Sequence, residues 1–164
     1  MRHSSFAFVL IAAAAGMLSL TSGSAIADTP LQSGVAEPFA ALPSGYFISN
    51  AYIDVDSAAQ QLKFSLNASG GDVDMFVRFG TPFPDPGANL PPISYDLLNR
   101  YAQYHSTSST SNESIVVLPS DRIPLQAGRW YIALINGGTS SANGTITATA
   151  FNSAAPVVHI NIDF

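Results

Sequence analysis

Cysteine is absent from this chain of 164 residues. That excludes a disulfide framework, thiol catalysis and every cysteine-ligated metal site. Charge is scarce too: 10% of residues are Asp, Glu, Lys or Arg, and the formal net charge is −5. Beyond the N-terminal region the basic residues are Lys63, Arg78, Arg100, Arg122 and Arg129, scattered singly. Without a basic patch or stripe, nucleic acid is not an expected partner. No apolar run reaches the ~20 residues that a membrane-spanning helix needs. Neither a Gly-x-Ser-x-Gly nucleophile elbow nor a His-Glu-x-x-His zinc motif occurs. Outside the first residues no stretch carries helical periodicity, so no helix is expected in the folded part.

The chain does carry an export signal. Arg2 and His3 precede the apolar run Phe6 to Leu20, and Ala25-Ile26-Ala27 supplies the small-x-small pattern of a signal peptidase site. A signal peptide over residues 1–27 follows, with Asp28 opening the mature chain. The alternative, a retained anchor, has a run too short to span and small polar residues directly after it. A secreted or periplasmic protein with no transmembrane segment after cleavage is expected.

The rest reads as short strands between Gly, Pro and Ser turns. Residues 28–43 form a leader with Pro30 and Gly34, and Pro43-Ser44-Gly45 is a turn. Tyr46 to Val55 is rich in aromatic and β-branched residues. In Gln61 to Asn67, Leu62, Phe64 and Leu66 alternate with Gln61, Lys63, Ser65 and Asn67, the mark of a half-buried strand. A hairpin-type turn ending in Gly70-Gly71 leads to Asp72–Phe79. There Val73, Met75, Val77 and Phe79 point one way, and Asp72, Asp74, Phe76 and Arg78 the other. Further strands are predicted at Ser114–Leu118, Trp130–Asn136 and Gly144–Phe151. A last alternation, Val157 to Phe164, reads as a strand or tail over 153–164. It is faintly like the final strand of an outer-membrane barrel, but the chain has too few such strands for one. These elements predict an all-β fold, a sandwich of antiparallel strands over 44–152.

Thr81 to Asn112 breaks the pattern. It holds Pro82, Pro84, Pro86, Pro91 and Pro92, then Tyr95, Tyr101 and Tyr104, then the low-complexity Ser106 to Ser111. Loops of this length are usually functional or mobile. With Phe83 and Trp130, the tyrosines Tyr95, Tyr101 and Tyr104 are candidates for an aromatic ligand platform. The plainer reading puts Trp130 in the core and uses the tyrosines to pin the loop.

Asp72 and Asp74 are candidate calcium ligands, with Asp54 and Asp56 (and Asn67) offering further oxygens nearby in sequence. The plainer reading has them capping turns or pairing with Arg78 or Arg129. Asp96, Glu113 and Asp121 add carboxylates without ligand spacing. Only His105 and His159 remain after cleavage. A nucleophilic site needs a histidine bonded to both a nucleophile and a carboxylate, and no pattern marks one. The chain is therefore expected not to be an enzyme, with a small His105-dependent hydrolase as the outlying reading.

From about Gly34 to Phe151 the chain resembles the bacterial pre-peptidase C-terminal domain family. The blocks that carry this are Gln61-Leu62-Lys63-Phe64-Ser65-Leu66, the hallmark Ser69-Gly70-Gly71-Asp72-Val73-Asp74-Met75-Phe76-Val77-Arg78-Phe79-Gly80, Tyr95-Asp96 with Ser111-Asn112-Glu113-Ser114, and the closing Leu125-Gln126-Ala127-Gly128-Arg129-Trp130-Tyr131-Ile132 with its final strand Thr145-Ile146-Thr147-Ala148-Thr149. The resemblance implies a jelly-roll-like β-sandwich without catalytic residues. Such domains are appended to exported hydrolases and serve secretion, stability or substrate attachment, and similar clostridial modules bind collagen and calcium. With a signal peptide expected directly before the module, no preceding peptidase is expected here, and the Thr81–Asn112 insertion looks longer than the family's. The expected function is a non-catalytic accessory or binding module whose partner is an extracellular protein or polysaccharide, or an exported peptidase. No cofactor is required, with calcium the one candidate. The alternative is a calcium-stabilised structural domain without a specific ligand.

Overall fold

The computed structural model describes residues 29–84 and 95–152. The predicted signal peptide and the Val157–Phe164 strand lie outside the described residues. The elements are β1 (Thr29–Pro30), β2 (Ala36–Leu42), β3 (Phe47–Val55), β4 (Gln61–Ser69), β5 (Val73–Phe79), α1 (Tyr95–Tyr101), β6 (Tyr104–Ser106), β7 (Asn112–Val117), β8 (Gly128–Asn136) and β9 (Ala142–Phe151). They form two sheets, one of five strands in the order β1-β3-β8-β5-β6 and one of four in the order β2-β9-β4-β7.

Alternation in the sequence becomes the division of each strand between two faces. Leu62, Phe64 and Leu66 of β4, Val73, Met75 and Val77 of β5, Ile115 and Val117 of β7, and Trp130, Ile132 and Leu134 of β8 meet in one core between the sheets. Each large side chain fully buried there contributes about 1.5–3 kcal/mol. The result is an all-β sandwich.

Three features differ from the sequence reading. The strand pairs are antiparallel except β1, which runs parallel to β3 through Thr29↔Ala51 and Pro30↔Tyr52. Residues 28–43 also do more than lead in: β1 joins the five-stranded sheet and β2 pairs with β9 in the other. Leu31 and Leu42 are core residues.

The third difference lies in the proline-rich stretch, which contains the helix α1 and the strand β6. The five-stranded sheet explains why. Its outer face carries Phe76, Tyr131, Ala133 and Ile135, and an apolar face cannot be left to water. Phe83 and Leu98 close over it with 1% and 0% exposure, forming a second core. β8, buried on both faces, accordingly reads as a continuous apolar run and not an alternating one. Asp96 in the first turn of α1 and Arg100 in the last suit the helix dipole.

Candidate binding surface

The Gly70-Gly71-Asp72 block is held by an asparagine. Asn136, at the end of β8, pairs with Val73 and is fully buried. Its Nδ2 donates to the Leu42 carbonyl at 2.9 Å and the Ser140 carbonyl at 2.8 Å. Its Oδ1 accepts from the Asp72 amide at 3.2 Å and the Gly138 amide at 3.0 Å. One side chain thus ties the end of β2, the start of β5 and the β8–β9 turn. A Cβ on Gly71 would lie 2.5 Å from that Oδ1, so only glycine fits there. The sequence reading missed Asn136, since an Asn-Gly-Gly run reports a turn and not a buried amide.

The two aspartates of this block keep carboxylates that the fold leaves short of partners. Oδ1 of Asp72 is buried without a hydrogen-bond partner. Asp74 is 5% exposed, and its carboxylate has no hydrogen bond among the described residues. Burial pushes Asp74 up to about 7, and the negative charges of Asp72 and Glu113 add to the effect. Glu113, also buried, is satisfied: Ser108 donates from its amide at 3.0 Å and its hydroxyl at 2.7 Å, and the Ser106 hydroxyl donates as well.

Asp54 and Asp56 sit elsewhere. Asp54 is opposite Arg129 across β3–β8, whereas Asp74 is opposite Ile135. Those β8 positions are six residues apart, roughly 20 Å at ~3.4 Å per residue. Arg129 donates to Asp54 from Nε at 2.8 Å and Nη2 at 2.9 Å, and its guanidinium stacks 3.7 Å from the centroid of Tyr52. This bidentate bond holds the Asp54 carboxyl below its usual range. Asp56 accepts from the Ala58 amide at 2.8 Å, an Asx-turn. The four candidate calcium ligands therefore do not converge, and no group of three or more His, Asp or Glu among the described residues is arranged to hold a metal.

The aromatic candidates also divide. Tyr104 and Trp130 face the inter-sheet core, their rings 6.3 Å apart. Trp130 is fully buried and donates from Nε1 to the Gln126 carbonyl at 3.0 Å. The Tyr104 hydroxyl donates to the Ile123 carbonyl and to Asp121 at 3.3 Å, and burial beside that carboxylate raises it to about 12. Neither side chain belongs to an exposed platform. They are anchored from within, because β6 pairs with β5 in a register that places Tyr104 opposite the inward Val77.

Tyr95 and Tyr101 lie on the other side, at the two ends of α1, with 37% and 40% exposure. Tyr95 packs edge-on against Phe76, centroids 5.5 Å apart at 85°. Tyr101 flanks the guanidinium of Arg78 at 5.6 Å, and Phe83 flanks it at 5.7 Å. Arg78 donates from Nη1 to the Pro82 carbonyl at 3.3 Å, while its buried Nε has no partner. Exposed His105 sits opposite Phe76, rings 6.4 Å apart, with no hydrogen bond to a hydroxyl or carboxylate among the described residues.

Two cavities lie away from this face. An open one of about 640 Å³ is lined by Gln103, Tyr104, Val116, Asp121, Arg122 and Ile123. A smaller apolar crevice of about 170 Å³ runs between the sheets and includes Leu31, Phe39, Ile48, Ile132, Leu134 and Ile146. Among the described residues no helix is long and apolar enough to cross a membrane.

No family model matches the chain, and no curated protein matches it. Solved structures similar to it include the following two. One is Aeromonas hydrophila PliG, a periplasmic lysozyme inhibitor of g-type lysozyme, at 13% identity and a TM-score of 0.37 over 75% of this chain and 95% of that one. The other is the pre-peptidase C-terminal domain of collagenase from Bacillus anthracis, to which the chain is similar at 6% identity and a TM-score of 0.49, over 74% of its own length and 93% of that domain.

Proposed function

We propose that this protein is an exported, non-catalytic binding module of the jelly-roll-like pre-peptidase C-terminal type, which attaches to an extracellular polysaccharide through the outer face of its five-stranded sheet. The observation that carries the reading is the contrast on that face. Phe76, Phe83 and Tyr131 are buried there, while Tyr95 and Tyr101 keep over a third of their surface in water. Rings held against a packed layer are preorganised to stack on a sugar ring. An extracellular protein or an exported peptidase would use the same surface. Replacing Tyr95 and Tyr101 together by Ala is expected to abolish retention on insoluble polysaccharide and leave the melting temperature nearly unchanged. Retention that survives both changes removes the reading.

Calcium is the second reading, favoured by the orphaned Oδ1 of Asp72 and the buried carboxylate of Asp74 two residues on. Calcium takes six to eight oxygens, so these two residues would share an ion with backbone carbonyls and water. Asp54 and Asp56 take no part in such a site. The expected result is a rise in melting temperature at millimolar calcium that is lost in the Asp72→Asn, Asp74→Asn double variant. An unmoved transition in the unsubstituted protein rules the ion out.

A further inference from the structure

Arg78 is the feature of the outer face that packing alone does not explain. It is a permanent cation on a central strand, yet no carboxylate pairs with it among the described residues; the ion pair found there is Arg129 with Asp54. The comparison is instructive, since Asp54 takes Nε and Nη2 of Arg129 in one bidentate bond. Arg78 has a single bond from Nη1 to a carbonyl, and Nε is left unsatisfied. The Phe83 and Tyr101 rings, 5.7 and 5.6 Å from the guanidinium carbon, hold the fork in place. Nε is buried and out of a ligand's reach, so an anion would meet the terminal nitrogens of this half-buried arginine, whose one hydrogen bond goes to a carbonyl and whose pair of donors matches the two oxygens of a carboxylate.

We propose that Arg78 is an anion anchor for a uronate residue, and that the polysaccharide bound at this face is a polyuronate. The inference rests on the polysaccharide reading above and narrows its ligand. Tyr101 beside the guanidinium offers a sugar ring a stacking face, and the guanidinium takes the carboxylate carried by the same ring. The position favours a sugar over an acidic peptide. An extended peptide gains affinity by adding to a strand edge. Arg78 instead lies on β5 with Tyr131 of β8 opposite it, and on the other side, where β6 ends at Val77, Gln103 closes the edge: its amide donates to the Val77 carbonyl at 2.9 Å and its Oε1 accepts from the Phe79 amide at 2.6 Å. The net charge of −5 gives no general attraction for an acidic polymer, so binding must come from a placed cation.

The test compares polygalacturonate with its methyl ester, which keeps the sugar and masks the carboxylate, and with neutral cellulose. The unsubstituted protein is expected to bind the acid form at least about tenfold more tightly than the ester, the scale of a hydrogen bond to a charged group. Arg78→Gln should erase that preference, and Arg78→Lys, which keeps charge without the fork, should restore only part of it. Thermal melts confirm that both variants are folded. Equal binding of acid and ester by the unsubstituted protein, or a preference that survives Arg78→Gln, overturns the anchor. If cellulose is still retained in either case, the polysaccharide reading stands without it. Failure to bind any of the three polymers overturns both.

Discussion

Asp74 shows how one residue on a legible strand acquires an illegible chemistry. Period-two alternation assigns it to the outer face of β5, but says nothing of the burial, or of the neighbouring carboxylates of Asp72 and Glu113, that raise its pKa. Its folded pKa of about 7 lies above the ~3.9 of an exposed aspartate, so the native state binds the extra proton. The stabilising contribution is complete below about pH 4 and is lost as pH rises through 7. Asp74→Asn should therefore stabilise the protein at pH 8 by on the order of 1–3 kcal/mol and have little effect at pH 4. Denaturant melts at the two pH values check this. A variant with the same pH slope as the parent would contradict it. Trp130 was readable as core from its place on an apolar strand. The inward turn of Tyr104 was not, because it depends on the β5–β6 register.

At the scale of elements, the strands with alternating side chains were legible: β4 and β5 fall within a residue or two of their predicted spans. β2 was hidden because Ala36-Glu37-Pro38-Phe39 has no β-branched residue and carries a proline, which an edge strand tolerates. α1 was hidden because its seven residues are too few to display a helical period. It forms because the sheet beneath needs a cover, a tertiary cause absent from local sequence. Leu98→Ala should thus cost about 2–5 kcal/mol, as for other buried leucines. It should also speed proteolysis around residues 95–101 before any cut in β4 or β9. Limited digestion followed by mass spectrometry reads the order of cleavage. A first cut elsewhere would mean that the helix is not the weak cover described.

The molecule as a whole is a three-layer arrangement: a four-stranded sheet, a five-stranded sheet, and the α1 segment laid on the latter. Composition and turn spacing revealed the first two layers. The third layer and the involvement of residues 28–43 follow from long-range pairing, which no local pattern carries. Because β1 and β2 belong to different sheets and deliver Leu31 and Leu42 to the core, a chain starting at Ser44 should lose its cooperative thermal transition. Calorimetry of that truncation against one starting at Asp28 decides the point. A sharp transition in the shorter chain would support the boundary read from sequence.

The position of β8, flanked by β3 and β5 and covered on both faces, makes it the last part of the protein to take up deuterium. Its amides should exchange only when the entire molecule opens, whereas those of α1 exchange through local fraying. A ligand gripping the outer face would slow α1 first and leave β8 to report global stability, so a single labelling experiment separates occupancy of the face from tightening of the fold.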